Sequence, residues 1–323
     1  MNDLAHKIRN TALELGFEEC GIIPVAETAA FAGELRKRAE LYPESAEFLS
    51  QYERFARIET LYPWARSIVA ATTWYGDYAL PGELPRLFAK YYLTDHRRDE
   101  AAPGLRRCRD FEASLRGFGL RTLTEMDNGV LPERWAAWKA GLGIVRKNNL
   151  LYTRRGSWVV VNAWLIDREL ELRHKPEIRA CPDNCSICQR ACPTGALAAP
   201  YNVNACKCLS YISTEVGFSK DDKYGRKAGT VIYGCDICQN VCPFNRAAWT
   251  GANEFPGLAE LAGVVSLEKI LDMADAELAG ILSARFWYIE PGQAQRWRDN
   301  ALNAMRNSND PEYRARLAAA GWL

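Results

Sequence analysis

The sequence predicts an α+β protein built from three parts, and three patterns along the chain support this prediction. Helix-like and strand-like segments alternate up to about residue 170, cysteines concentrate between residues 178 and 246, and apolar residues recur at helical spacing from residue 252 onward. A chain of 323 residues is long enough for two or three compact units. We therefore expect domains at residues 1–175, 176–250 and 251–323.

The first part contains the predicted strands. Its run from residue 157 to 166 lacks polar alternation, which indicates a central strand with both faces buried. Interleaved helices and strands are typical of either an α/β or an α+β unit. The predicted strands lie at residues 20–25, 67–75, 121–125 and 157–166, and the predicted helices at 4–17, 27–41, 43–58, 84–92 and 104–117, with two more helices within 292–323.

Bulk properties exclude some classes of protein. The formal net charge is +1, so a strongly basic nucleic-acid-binding surface is not implied. We find no run of 18 apolar residues that would predict a membrane-spanning helix, and the charged first ten residues do not resemble a signal peptide. A cytoplasmic location is therefore expected, without membrane association. In that reducing compartment, clustered cysteines indicate metal ligands more often than disulfides.

Two related cysteine motifs dominate the middle of the chain. The first is CPDNCSICQRACP at residues 181–193, and the second is GCDICQNVCP at residues 234–243, with Cys208 between them. Both end in a cysteine followed by proline after a three-residue gap, which is the arrangement of a two-cluster ferredoxin. In such proteins the cysteine before proline binds the other cluster. The predicted ligand sets are Cys181, Cys185, Cys188 and Cys242 for one 4Fe–4S cluster, and Cys192, Cys208, Cys235 and Cys238 for the other.

Paired structural zinc sites are the alternative, because Cys-x2-Cys units also suit tetrahedral zinc. The three-residue gap followed by proline favours iron–sulfur clusters instead. The first gap of motif one is one residue longer than in bacterial ferredoxins, which makes Cys181 the ligand that departs from the pattern. Cys206 is left over without a predicted role, whereas Cys20 and Cys108 are expected to be buried apolar residues.

Several segments resemble the epoxyqueuosine reductase family. They are CLSYISTE at residues 208–215, YGCDICQNVCPFN at 233–245, and ERWAAWKAGLGIVRKNNLL at 133–151 with GSW at 156–158. The resemblance extends from about residue 15 to 302. It implies a nitroreductase-like corrinoid-binding domain, a double-cluster ferredoxin-like domain and a short α-helical, HEAT-like C-terminal region. It also implies two 4Fe–4S clusters, bound cobalamin, and reduction of epoxyqueuosine to queuosine in tRNA.

The resemblance also implies roles for individual residues. Asp127, in MDNG at residues 126–129, matches the family's catalytic acid, although Asp-Asn-Gly is also typical of a turn. A carboxylic acid in an apolar pocket has a raised pKa and can donate a proton to the substrate. The implied cobalamin contacts are Lys139, Gly141, Gly143, Lys147, Asn148, Ser210 and Tyr211.

The chain departs from the family where substrate recognition is expected. AKYYLTDHRR at residues 89–98 replaces the family's GRDYH pattern, Pro132 is displaced relative to Asp127, and the C-terminal helical region is short. Three functions therefore remain open: an epoxyqueuosine reductase acting on tRNA, a cobalamin-dependent reductase of a small molecule, or a non-catalytic electron carrier serving a partner protein. A low-potential donor of the flavodoxin or ferredoxin type is expected to supply electrons. The sequence does not indicate an oligomeric state.

Overall fold

A four-stranded antiparallel sheet is the centre of the N-terminal half. The computed structural model of the protein describes residues 2–94, 99, 101–124, 131–246 and 248–323. The sheet order is β1-β2-β6-β3, and β4 pairs with β5 separately. The strands are β1 (Glu19–Pro24), β2 (Ser67–Trp74), β3 (Thr122–Leu123), β4 (Ile144–Val145), β5 (Leu151–Tyr152) and β6 (Val159–Ile166).

The two interior strands are the two apolar runs of the sequence. β2 and β6 pair in register from Ser67 with Ile166 to Trp74 with Val159. The prediction that residues 157–166 form a central strand is confirmed, because β6 lies between β2 and β3. All pairs in the sheet are antiparallel, so the unit is α+β and not α/β.

Helices cover both faces of this sheet. Neighbouring residues of a strand point to opposite faces of the sheet. Trp164 therefore packs into the core beneath the helices at residues 2–14 and 103–117, whereas Leu165 packs into the core beneath the helix at residues 133–139. The helices of this half are α1 (Asn2–Glu14), α2 (Phe31–Leu41), α3 (Ala46–Ser50), α4 (Ile58–Leu61), α5 (Leu84–Leu87), α6 (Lys90–Leu93), α7 (Pro103–Gly117) and α8 (Glu133–Lys139).

Two predicted helices are broken in the structure. Residues 84–92 form α5 and α6 instead of one helix, because Ala89 N–H donates to Tyr233 O at 2.8 Å and Ile232 N–H donates to Leu87 O at 2.7 Å. These tertiary hydrogen bonds replace the helical ones at the break. Residues 43–58 form 3₁₀ turns at Pro43–Ser45 and Glu53–Arg57 on either side of α3.

The C-terminal helices share one core with segments from the rest of the chain. Phe88 stacks on Phe286 with ring centroids 4.4 Å apart, and Tyr233 stacks on Trp297 at 5.3 Å. In the part of the chain that the structure describes, no helix is long and apolar enough to cross a membrane. The remaining helices are α9 (Ile187–Ala191), α10 (Leu209–Tyr211), α11 (Ile237–Asn240), α12 (Leu258–Val264), α13 (Leu267–Asp272), α14 (Asp275–Leu282), α15 (Ala294–Ser308) and α16 (Arg314–Ala319).

Candidate functional site

The first predicted ligand set, hereafter set one, surrounds a single cavity. Its four thiols line that cavity together with residues 146–148 and 243–244. Burial raises the pKa of Cys188, and the neighbouring Cys242, Cys181 and Cys185 raise it further. The structure therefore brings Cys242 from the second motif to the three cysteines of the first motif. The members of set one are Cys181, Cys185, Cys188 and Cys242.

The second predicted ligand set, hereafter set two, is also assembled across the two motifs. Burial raises the pKa of Cys235 to about 12, and Cys208 and Cys192 are among the neighbouring groups that raise it further. Burial also raises the pKa of Cys238 well above its usual value, with Cys235 and Cys208 contributing. The members of set two are Cys192, Cys208, Cys235 and Cys238.

Proline explains why the last cysteine of each motif leaves its own group. Cys192 ends α9 with φ −68° and ψ 110°, and Cys242 follows α11 with φ −72° and ψ 123°. Pro193 and Pro243 disfavour helical backbone at the residue before them, so α9 ends at Ala191, α11 ends at Asn240, and each final cysteine is extended. The extended backbone then carries each thiol to the opposite set.

The thiols of each set are too far apart to bind one shared metal ion. Among the described residues, no three His, Cys, Asp or Glu side chains lie close enough to hold one metal ion. A 4Fe–4S cluster requires a wider frame, because four separate irons each bind one thiolate. All eleven cysteines are free thiols, and cationic irons would offset the cost of ionising those that burial disfavours.

Two basic residues hold the loop of set one. Lys147 Nζ donates to the carbonyl oxygens of Pro182, Asp183 and Cys185 at 2.9, 2.7 and 2.9 Å. Arg146 Nη1 lies 3.6 Å from Cys181 Sγ, and Arg146 Nη2 donates to a backbone carbonyl in the same loop at 2.6 Å. These contacts fix the loop that carries the first three cysteines.

Two of the predicted cobalamin contacts, Lys147 and Asn148, lie at this loop. Both lie at set one, where Asn148 Nδ2 donates to Tyr152 Oη at 2.9 Å, and neither lines the large cleft described below. Lys147 is fully engaged with the cysteine loop, which explains its position. The motif RKNN is therefore a support for the cluster-binding loop.

Three further predicted corrin contacts are Lys139, Gly141 and Gly143. A Cβ atom at Gly141 would lie 1.9 Å from His174 O, and one at Gly143 would lie 2.5 Å from Tyr152 O. The glycines are thus required by close approach to the protein's own backbone. Lys139 Nζ lies 4.7 Å from the ring of Trp135 and 4.7 Å from that of Trp138, and Trp135 lines the large cleft.

A large cleft lies beside set two. Its volume is about 1320 Å³, which exceeds the range of roughly 300–1,000 Å³ typical of small-molecule pockets. Cys208 of set two lines it, and so do Ser210 and Tyr211. The leftover Cys206 lines it as well, and its Sγ donates to Glu44 O at 3.1 Å.

One wall of the cleft carries desolvated cations. Burial lowers the pKa of Arg134 to about 10, and the nearby Arg38 guanidinium contributes to that shift. Burial also lowers the pKa of Arg38, whose Nε is buried and has no hydrogen-bond partner among the described residues. Arg134 Nη1 donates to Asn149 O at 2.6 Å. Two guanidinium groups held away from water favour an anionic ligand.

The predicted acid Asp127 lies outside the described residues, as do Asp95, His96, Arg97 and Arg98 of the substituted pocket motif. The structure describes the chain again from Leu131, four residues after Asp127. Leu131, Pro132, Glu133 and Arg134 all line the cleft.

Sequence reasoning missed most of the cleft wall. Aromatic side chains at positions 48, 52 and 55 line it, as do residues 287, 288 and 296 from the C-terminal region. The spacing of Phe48, Tyr52 and Phe55 places them on one face of a helical segment, which was the available signal. Nothing in the sequence indicates that this face turns toward Ser210 and Tyr211.

Comparisons with known proteins agree with this geometry. A 4Fe-4S double cluster binding domain matches residues 180–245, which favours iron–sulfur clusters over zinc. The epoxyqueuosine reductase of Gloeobacter violaceus is 31% identical over 293 residues, covering 86% of this chain and 88% of that protein. That of Escherichia coli K12 is 30% identical over 271 residues, covering 76% and 66%.

A solved structure shares the fold. The crystal structure of epoxyqueuosine reductase with a tRNA-Tyr epoxyqueuosine-modified stem loop matches with a TM-score of 0.80 and 24% identity, covering 98% of this chain and 85% of that one. The predicted α+β architecture is thereby confirmed. The chain spans less than two thirds of the length of several curated relatives, such as 66% of the Escherichia coli protein. On its similarity to the Gloeobacter violaceus protein, this chain belongs to the epoxyqueuosine reductase family.

Proposed function

We propose that this chain reduces epoxyqueuosine to queuosine in tRNA. The observation that carries the proposal is the position of set two, which opens through Cys208 onto the large cleft. Electrons leaving a cluster there arrive directly at the cavity in which a substrate would bind. Membership of the family supplies the identity of that substrate, and the structure of a relative with a modified tRNA stem loop supports tRNA as the partner.

In the proposed reaction, the protein uses two 4Fe–4S clusters and cobalamin as cofactors. The cleft suits cobalamin because it is unusually large, has aromatic walls, and contains desolvated guanidinium groups that favour an anionic group such as a phosphate. Ser210 and Tyr211 would contact the cofactor. When bound, cobalamin would supply the low-potential cobalt centre for the reduction. We also propose a reducing, cytoplasmic compartment, where clustered cysteines serve as metal ligands more often than they form disulfides.

The protein's own groups would position the substrate and move protons. Removing the epoxide oxygen as water requires two electrons and two protons. We assign one proton to Asp127, whose segment leads into the cleft wall at Leu131. The partly buried Arg38 and Arg134 would hold an anionic group of the cofactor or of the tRNA. The aromatic walls would exclude water from the reacting groups.

Anaerobic reconstitution tests the proposal. The protein is loaded with iron, sulfide and cobalamin, its metals are quantified, and turnover is assayed on tRNA that carries epoxyqueuosine. We expect eight irons and one cobalt per chain together with formation of queuosine. Loading without turnover on this tRNA would reassign the substrate to a small molecule. Full iron without cobalt would contradict the cobalamin site and leave only an electron carrier.

A further inference from the structure

We infer that the surface beside set one is the docking site of an acidic, low-potential electron-carrier protein. The inference rests on the proposed function, in which the two clusters relay electrons toward the cleft. It adds which cluster receives the electrons, where the carrier binds, and the charge of that carrier.

The order of the two sets gives the direction of transfer. Cys208 of set two lines the cleft, whereas none of the set-one cysteines does. Set one is also next to set two, since Asn148, which lines the set-one cavity, donates from Nδ2 to Cys238 O at 3.3 Å. A relay that ends at the cleft therefore begins at set one, and its donor must approach set one from outside.

Exposed aromatic residues mark that outer side. The structure describes eight exposed large hydrophobic side chains, and two of them, Tyr201 (44% exposed) and Phe244 (37% exposed), flank set one. The Phe244 ring lies 3.5 Å from the Arg146 guanidinium, whose Nη1 is 3.6 Å from Cys181 Sγ. Tyr201 N–H donates to Lys147 O, and Cys181 is close enough to raise the pKa of the Tyr201 phenol after burial.

Tyr201 has a backbone conformation that is unfavourable for its residue type. Its φ is +64°, in the left-handed region that glycine or asparagine adopts more readily. A large aromatic side chain held there in solvent contributes little to the core. A contact with a partner protein gives that side chain a role.

The charges around set one indicate an acidic partner. Exposed cations flank its cysteines in the chain, whereas the exposed acids of the same loop are Glu177 and Asp183. Glu177 is already 3.6 Å from Arg154. A small patch with a cationic rim suits the small, electrostatically steered interfaces of redox partners, which bury less than about 1,200 Å². The exposed cations are Lys175, Arg179, Arg190 and Arg246.

Rapid-mixing reduction of the iron-loaded protein tests the site. The protein carries both clusters, without cobalamin or tRNA, and the probe is a reduced plant-type 2Fe–2S ferredoxin, an acidic one-electron carrier. One electron leaves the ferredoxin and reduces the set-one cluster. The reaction is monitored through the visible absorbance that the set-one cluster loses when it is reduced. We expect the second-order rate constant to fall about tenfold or more in the double variant Arg179→Glu/Arg190→Glu.

Matched variants distinguish the effect of charges at the docking surface from the effect of the protein's overall charge. Arg226→Glu/Arg314→Glu makes the same charge change at exposed positions outside both sets, and should leave the rate within about twofold of wild type. Tyr201→Asn retains a residue that tolerates positive φ and should slow ferredoxin reduction several-fold. Reduction by dithionite should be unchanged in every variant, since a small reductant needs no docking site.

Two results would overturn the inference. One is an unchanged ferredoxin rate in Arg179→Glu/Arg190→Glu, and the other is an equal loss in Arg226→Glu/Arg314→Glu. Neither depends on turnover, so failure of the docking site is distinguishable from failure of the proposed reaction. Iron content and dithionite reduction identify any variant that has simply lost its clusters.

Discussion

The two cysteine sets have related motifs and different surroundings. Set one is held by Arg146 and Lys147 and flanked by exposed aromatic residues, whereas set two opens onto the cleft through Cys208. Burial raises the pKa of Cys235 in set two to about 12. The spacing of cysteines thus determines which atoms bind a cluster, while the neighbouring segments determine what each cluster exchanges electrons with.

The largest effect is expected from removing a ligand of set two. Cys208→Ser should lower iron from eight to about four or fewer per chain and abolish turnover, because the electron path to the cleft is interrupted. Cys206→Ser is the matched control, since Cys206 lies two residues away and its Sγ contacts Glu44 O. Iron analysis and the tRNA assay measure both. Equal iron loss in the two variants would contradict the assignment of set two.

The next largest effect is expected from removing the predicted acid, Asp127. Asp127→Asn should lower kcat by roughly 10²–10⁴-fold, the usual contribution of a general acid, and leave both clusters in place. Iron content and the rate of reduction by dithionite serve as controls. A kcat within a few-fold of wild type would favour the alternative in which Asp127 only forms a turn.

The grouping of the cysteines could be predicted from the sequence because its determinants are local. Spacing and the Cys-Pro steps determine how Cys192 and Cys242 leave their own motifs, so the crossed sets followed from the chain itself. The roles of Lys147 and Gly141 were not predictable in this way. Both depend on which distant segment packs against them, the loop after Cys181 in one case and His174 in the other.

The cleft was even harder to predict from the sequence, because it also depends on contacts between distant segments. Its walls come from helices near residue 50, from the segment after residue 130 and from the C-terminal region, which are far apart in the chain. Arg38 and Arg134 look like ordinary surface arginines in the sequence. Only the folded chain shows that they lie near each other, each partly buried and with its pKa lowered.

Cobalamin is expected to protect the two sets unequally. Set two lines the cleft, so a bound corrinoid should slow iron loss from set two several-fold, whereas set one should lose iron at an unchanged rate. Iron release to a chelator under mild oxidation, followed with and without cobalamin, measures the difference. The chain without cobalamin is its own control. Equal protection of all eight irons would contradict the placement of cobalamin beside set two.

The smallest effect is expected from replacing Arg146, which lies beside the cysteines of set one. A cation 3.6 Å from Cys181 Sγ stabilises the more negative, reduced cluster and so raises its reduction potential. Arg146→Gln should lower the potential of that cluster by on the order of 50 mV, which is about 1.2 kcal/mol for one electron. Arg146→Lys retains the charge and should lower it less. A redox titration followed by electron paramagnetic resonance resolves the two clusters, and an equal shift in both would mean that Arg146 acts on the fold and not on set one.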